Sequence, residues 1–228
     1  MKIYNTDIFE KLKIRPVNVA DLSNKQHDFE IVKNAVTDID GNSYDGIYIG
    51  GKLWMTSNLR TTKYNDGTSI LTFESAKSLT SPCYACPDVD EPRSKDYGLY
   101  YNFSAVKTEK LAPKGWYIPD IHDWTYLFEC IAKNDKYNLL PSHTEPFNSA
   151  AIAKSLCSID DWNSSNFKNA VGYDCALNNT TGFNGFPAGY YVDGKCKCIH
   201  DSAFFFGALL FVTITRHGMY VQPIIMVL

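Results

Sequence analysis

The stretch DIDGNSYDGIYIGGKLWMTSNLRTTKYNDGTSI, running from Asp38 to Ile70, decides the fold class. Asp40-Gly41, Gly50-Gly51 and Asp66-Gly67 are hairpin-type turn signals, because tight turns need positive φ and glycine supplies it without a steric penalty. Between those turns Tyr44, Ile47 and Ile49 supply strand positions. The texture is that of short strands separated by tight turns.

Outward from there the pattern varies. Residues 80–97, TSPCYACPDVDEPRSKDY, hold three prolines among polar residues and read as a loop. GLYYNFSAV follows as a strand. Two helices are expected. In PDIHDWTYLFECIAK, Asp120 is placed to cap the helix, with Asp123 three residues on in a capping-box spacing. Trp124, Leu127, Phe128 and Ile131 then form one apolar stripe. In NSAAIAKSLCS, Ile152 and Leu156 share a face. Beyond Trp162 the chain returns to short strands, among them TGFNGFPAGYYVDGK and MYVQPIIMV. Short irregular strands, many turns and two main helices indicate an α+β domain. Residues 1–35 read as a separate N-terminal arm or attachment segment, with short amphipathic pieces in TDIFEKLKI and DLSNKQHDFEIV. Residues 36–228 form the domain. Trp54, Trp116, Trp124 and Trp162 are expected in its core.

The C-terminal block HDSAFFFGALLFVTITRHGMYV, from His200 to Val221, poses the functional question. Between Phe204 and Ile214 it holds no charge, amide or proline, and its one hydroxyl is on Thr213. It is a buried strand, a membrane anchor or a contact surface. A membrane span needs about 18 or more apolar residues, so the block is too short to be an anchor. It is apolar at successive positions, so it is either sandwiched or pressed against a partner.

Composition narrows the classes. The chain has 228 residues, a formal charge of -3 and 14 % aromatic residues. The acidic balance lacks the basic footprint of a nucleic-acid binder. The opening residues carry no apolar signal segment, since Asp7 and Glu10 interrupt any such run. Synthesis and first residence in the cytoplasm are expected, with no membrane insertion. Seven cysteines, an odd number without an export signal, favour reduced thiols.

Several motifs together resemble a known family. Asp40-Gly41-Asn42-Ser43-Tyr44 is followed by Ile49-Gly50, Trp54-Met55, Asn58-Leu59 and the Tyr64-Asn65-Asp66-Gly67 turn. Tyr97-Gly98-Leu99-Tyr100-Tyr101-Asn102 comes next. Pro113-Lys114-Gly115-Trp116 leads to Pro119, Trp124 and Leu127, and GFNGFPAGYY follows from Gly182. In this order they resemble the Fibrobacter succinogenes major paralogous domain family. The resemblance implies a C-type lectin-like fold, related to the formylglycine-generating-enzyme branch. The match is poorest in the C-terminal block, where Gln222 stands in place of the family's usual Arg.

That divergence resembles the proteins whose C-terminal part is varied by diversity-generating retroelements, often receptor-binding proteins of phages. Such variation turns AAC codons into NNC, which cannot encode Lys, Glu, Gln, Met or Trp. None of those five occurs from Cys198 through Gly218. An ordinary apolar core strand would also lack most of them, so both readings stand.

The expected function is non-enzymatic binding. His200, Asp201, Phe204, Phe206, Leu209, Phe211, Thr213 and Thr215 are the expected ligand-binding residues. The expected partner is a protein or glycan on a cell surface, with attachment to a virion or a homo-oligomer through the N-terminal arm. The alternative is a structural or oligomer-interface module with the C-terminal block buried and no ligand. No cofactor is expected. Cys83 and Cys86 with Cys196 and Cys198 could make a four-thiolate zinc site, or could remain separate thiols. The acidic runs Asp38–Asn42 and Asp88–Glu91 lack the pattern of an EF-hand. Nothing matches the active-site pattern of formylglycine-generating enzymes, and fold alone does not carry function.

Overall fold

The fold was read from a computed structural model, which describes residues 11–12, 14–18, 28–78, 80–87, 97–133, 149–207, 210–216 and 218–223. Three sheets and three α-helices make up the described part. The first sheet has four antiparallel strands in the order β2-β5-β4-β3: β2 Val17–Asn18, β3 Ile31–Thr37, β4 Ser43–Ile49 and β5 Lys52–Met55. Gly50 and Gly51 join β4 to β5 with φ of 62° and 71°. Two successive positive φ values are what a two-residue hairpin turn of this hand requires, and they set Ile47 opposite Trp54.

The second sheet runs β10-β9-β1-β8-β7-β6, with β1 Lys11–Leu12, β6 Leu71–Thr72, β7 Cys83–Ala85, β8 Tyr100–Asn102, β9 Tyr190–Val192 and β10 Lys195–Lys197. The third is β11-β12-β13, a double hairpin of β11 Ser202–Gly207, β12 Leu210–Thr215 and β13 Gly218–Pro223. The helices are α1 Phe103–Val106, α2 Ile121–Ala132 and α3 Ser149–Leu156. The architecture is mixed α+β, with several small sheets and few helices, as the sequence indicated.

Helix α2 starts where the capping signal placed it. The Asp120 carboxylate accepts from the His122 and Asp123 amides, and Asp123 accepts in return from the Asp120 amide. Its apolar stripe, Trp124, Leu127, Phe128 and Ile131, is buried. Asp123 also takes Lys52 Nζ and the Tyr117 hydroxyl, tying the cap to β5. All four tryptophans are buried.

The N-terminal boundary differs from expectation. Residue 35 lies inside β3, and Lys11–Leu12, within the amphipathic piece TDIFEKLKI, is a strand paired with Tyr101–Asn102. Val17–Asn18 pairs with Leu53–Trp54, and Ile14, Arg15 and Val17 are fully buried. These parts of 1–35 are built into the domain. The segment from Ile14 to Val17 carries two aliphatic residues, whose burial holds it in place.

Arg15 is the centre of that insertion. Its Nε donates to Asn58 Oδ1 at 2.7 Å, and Nη1 donates to the carbonyls of Met55 (3.0 Å) and Phe183 (2.7 Å). Nη2 donates to Asn184 O at 2.8 Å. Asn58 Nδ2 passes the chain on to Tyr97 O at 2.8 Å. The guanidinium lies over the rings of Phe183 and Phe205, at 4.8 and 5.6 Å. Neutral oxygens and ring faces therefore hold a buried cation. Burial pulls its pKa down to about 9, which still leaves it charged at pH 7. Two separate sequence motifs, at 55–58 and 182–191, converge on this side chain, and Asn58 links it to a third, at 97–102.

Strand β11 answers the question posed by the C-terminal block as far as Phe205. Ala203 and Phe205 face one core with Trp54, Trp124, Phe183 and Ile214, while Phe204 faces a second with Tyr44, Leu53 and Tyr101. Side chains alternate across a strand, so one strand serves as the wall between two cores. Phe205 packs on Trp124 and Phe183 at 5.7 and 6.0 Å between ring centroids, and Phe204 packs edge-on to Tyr190 at 5.1 Å. Phe204, expected on a ligand face, is therefore a core residue, at 6 % exposure.

Candidate binding rim

Three of the expected site residues meet at one end of the β11–β12 hairpin. Ser202 pairs with Thr215, so the residues just outside that pair, Asp201 and Arg216, come together. Arg216 Nη1 is 3.4 Å from Asp201 Oδ1, and the Arg216 amide donates to Asp201 O at 2.9 Å. Asn163 Nδ2 donates to the same carboxylate at 3.2 Å, and its amide donates to His200 O at 2.8 Å. His200 Nδ1 is 2.8 Å from Asp161 O. A carbonyl can only accept, so Nδ1 carries the proton. His200 and Asp161 both hold positive φ, 67° and 69°, a conformation that costs free energy for residues with a Cβ. His200, Asp201, Thr215 and Arg216 are all half-buried.

One glycine makes this arrangement possible. Gly189 has φ of 60°, and a Cβ there would lie 1.9 Å from Lys197 O. Its amide donates to Ser202 O at 2.7 Å, locking β9 to the start of β11.

Of the other expected ligand residues, Phe206 lies on β11, and Phe211 and Thr213 lie on β12. Leu209 lies outside the described residues. Phe204 is inside the protein, so the rim brings together His200, Asp201 and Thr215 only.

Sequence reading missed the neighbouring loop, residues 158–178. It exposes four large apolar side chains: Ile159 at 52 %, Phe167 at 67 %, Tyr173 at 42 % and Leu177 at 54 %. Its backbone is nonetheless anchored. Lys154, on α3 and 5 % exposed, donates from Nζ to the carbonyls of Ala170 (3.2 Å), Tyr173 (2.7 Å) and Asp174 (3.2 Å). These contacts match the three N–H donors of an ammonium. Burial lowers its pKa. Asn178 Nδ2 reaches Ser158 O at 3.0 Å and Val171 O at 3.2 Å. A signal for Lys154 was present: it is the one charge in SAAIAKSL, a helix otherwise apolar or small on every face.

The metal readings fare differently. Among the described residues, no group of three or more His, Cys, Asp or Glu could hold a metal ion. Cys196 on β10 and Cys83 on β7 are separated by β9, β1 and β8. Four inter-strand steps are about 19 Å, so a shared four-thiolate site does not form. Asp38 is filled by protein donors: the amides of Asp40 and Asn42, Asn42 Nδ2 and the Tyr44 hydroxyl. The run Asp88–Glu91 lies outside the described residues. No described helix is long and apolar enough to cross a membrane.

Comparison with curated proteins and with solved structures gives no match. The family model of the Fibrobacter succinogenes major domain matches residues 47–209. That span covers more than half of the chain. It includes the 55–58, 97–102 and 182–191 motifs but not Arg15, which binds them together. On that match, the chain belongs to the Fibrobacter succinogenes major domain family.

Proposed function

We propose that this protein is a non-enzymatic binding module on a C-type lectin-like scaffold, and that a protein or glycan of a cell surface is its ligand. The contact surface is the rim formed by His200, Asp201, Thr215 and Arg216 with the 158–178 loop, rather than the apolar strand itself. One observation carries this reading: Phe167 and Tyr173 stand exposed on a loop whose backbone Lys154 holds fixed. Anchored aromatics offer contact area at low entropic cost, and polar groups beside them supply direction. Variation of Cys198–Gly218 by a retroelement, and display on a phage particle, belong to the same proposal. Attachment would then use N-terminal residues outside β1, β2 and β3.

The second reading is a structural or oligomer-interface module. It is favoured by the burial of Ala203, Phe204, Phe205 and Ile214, which gives the start of the block a core role without any ligand.

The test is binding of the purified chain to glycan arrays and to bacterial cells, with Phe167→Ala and Asp201→Ala beside the unaltered protein. The expected result is binding that both substitutions weaken by tenfold or more while the fold is kept. Binding indifferent to both would sink the rim. No binding, with a concentration-dependent oligomer in solution, would favour the second reading. Sequencing the flanking DNA tests variation: a reverse transcriptase and a near-copy of the segment for residues 198–218 are expected.

A further inference from the structure

The 158–178 loop leaves and re-enters the fold at a narrow neck, and a cysteine stands on each side of it. Cys157 directly follows α3, its amide donating to Ala153 O at 3.0 Å, and it is fully buried. Cys175 opens the returning 3-10 turn Cys175–Leu177 and is half-buried. The neck is closed by polar contacts. Asn178 Nδ2 binds Ser158 O, next to Cys157, at 3.0 Å. The Asn178 amide binds Cys175 O at 2.9 Å. Val171 O accepts from both Asn178 Nδ2, at 3.2 Å, and Cys175 Sγ, at 3.6 Å. Cys175 packs against the apolar cluster that contains Cys157. Both stand as thiols.

Lys154 completes the group. Its ammonium, held by the carbonyls of Ala170, Tyr173 and Asp174, lies one residue from Cys175 and one helical turn before Cys157. Burial pushes both thiols up, and this nearby positive charge works against that rise.

We propose that Cys157 and Cys175 are a redox pair that staples the neck of the loop, closing to a disulfide when the protein meets a small-molecule disulfide such as oxidised glutathione. The difference in exposure sets the order of events. The half-buried Cys175 thiolate attacks one sulfur of the oxidant, forming a mixed disulfide and expelling one glutathione thiolate. The buried Cys157 thiolate then attacks Cys175 Sγ, forming the protein disulfide and expelling the second. The two thiol protons pass through solvent to the two expelled thiolates, so the oxidant is reduced to two thiols. The product ties together the two ends of the segment that bears Ile159, Phe167 and Tyr173, independently of what ligand that segment meets.

The experiment is incubation of the full-length protein with oxidised glutathione, then peptide mapping without reduction. A peptide pair joined through Cys157 and Cys175, lighter by two hydrogens than the two thiols, is expected. Cys157→Ser should instead retain glutathione on Cys175, and Cys175→Ser should leave Cys157 unmodified. Amide hydrogen exchange across residues 158–174 should slow in the oxidised protein and not in the oxidised Cys157→Ser variant. The proposal is overturned if the unaltered protein keeps glutathione on Cys175. It is equally overturned if only Cys86 and Cys198 react, or if the linked protein exchanges no more slowly.

Discussion

Strand β11 and the 158–178 loop lie side by side, joined through Asp161, Asn163, His200 and Asp201, and both are rich in large apolar side chains. The strand spends its described apolar side chains on packing; the loop buries Trp162 and Val171 but displays Ile159, Phe167, Tyr173 and Leu177. The difference lies in what satisfies the backbone. In β11 the ladder to β12 pairs the backbone, and described side chains from Ser202 to Phe205 are buried on both faces. In the loop, Lys154 and Asn178 take the carbonyls from within. With its backbone secured by a cation and an amide, the loop does not need Phe167 or Tyr173 to hold it down. Apolar content alone does not separate a core segment from a contact surface; the partners of the main chain do.

Substitutions can break this contrast. Phe205→Ala should cost about 3–5 kcal/mol, the usual range for emptying a buried phenylalanine site, seen as a lower urea midpoint. The matching change in the loop, Phe167→Ala, should alter stability by no more than about 0.5 kcal/mol. Equal costs for the two would erase the distinction. Arg15→Met belongs with the strand. It strands carbonyls of Met55, Phe183 and Asn184, at about 1–3 kcal/mol for each group left unsatisfied, so loss of cooperative unfolding is expected.

Lys154→Met should cost less, about 2 kcal/mol overall, because loop carbonyls can turn to water. Its main sign should be faster amide exchange across residues 158–174 while β11 stays protected. Uniform exchange across both would show that the loop is not separately anchored.

The smallest effect concerns pH, in a third polar-tied segment. Burial raises the Asp40 pKa, but hydrogen bonds from the Thr62 amide and hydroxyl, together with Lys63, outweigh it and hold the carboxyl below its ordinary 3.8. A depressed carboxyl contributes stability above its unfolded pKa and loses it as pH falls through the folded value. Asp40→Asn should therefore be slightly less stable than the parent at pH 7, with the gap closing as pH falls below 3.8. Thermal unfolding across that range reads it directly; a gap that widens in acid would refute the assignment.

Much of the fold was legible because it rests on local rules. The Gly50-Gly51 turn needs only its own φ values, the Asp120–Asp123 cap only its own amides, and the α2 stripe only helical periodicity. Those features appeared where the sequence put them, as did the burial of the tryptophans. GLYYNFSAV was half legible: it is strand to Asn102 and helix from Phe103, because the Asn102 side chain caps the Ala105 amide and ends the strand. The rim was legible in part, through His200, Asp201 and Thr215. Asn163 and Arg216 emerged only when the loop and the hairpin were brought together.

The sequence by itself determined the α+β class, the family, the two main helices with the start of the first, and the fact that the C-terminal block is too short to cross a membrane. Only the tertiary structure decided that β11 divides two cores, that Lys11–Leu12 and Val17–Asn18 pair with strands of the later chain, and that Lys154 anchors a loop that shows aromatics. The reason is range. Turns and caps are settled between residues a few positions apart. The partners of Arg15 lie 40 to 169 residues away, and no local pattern records them.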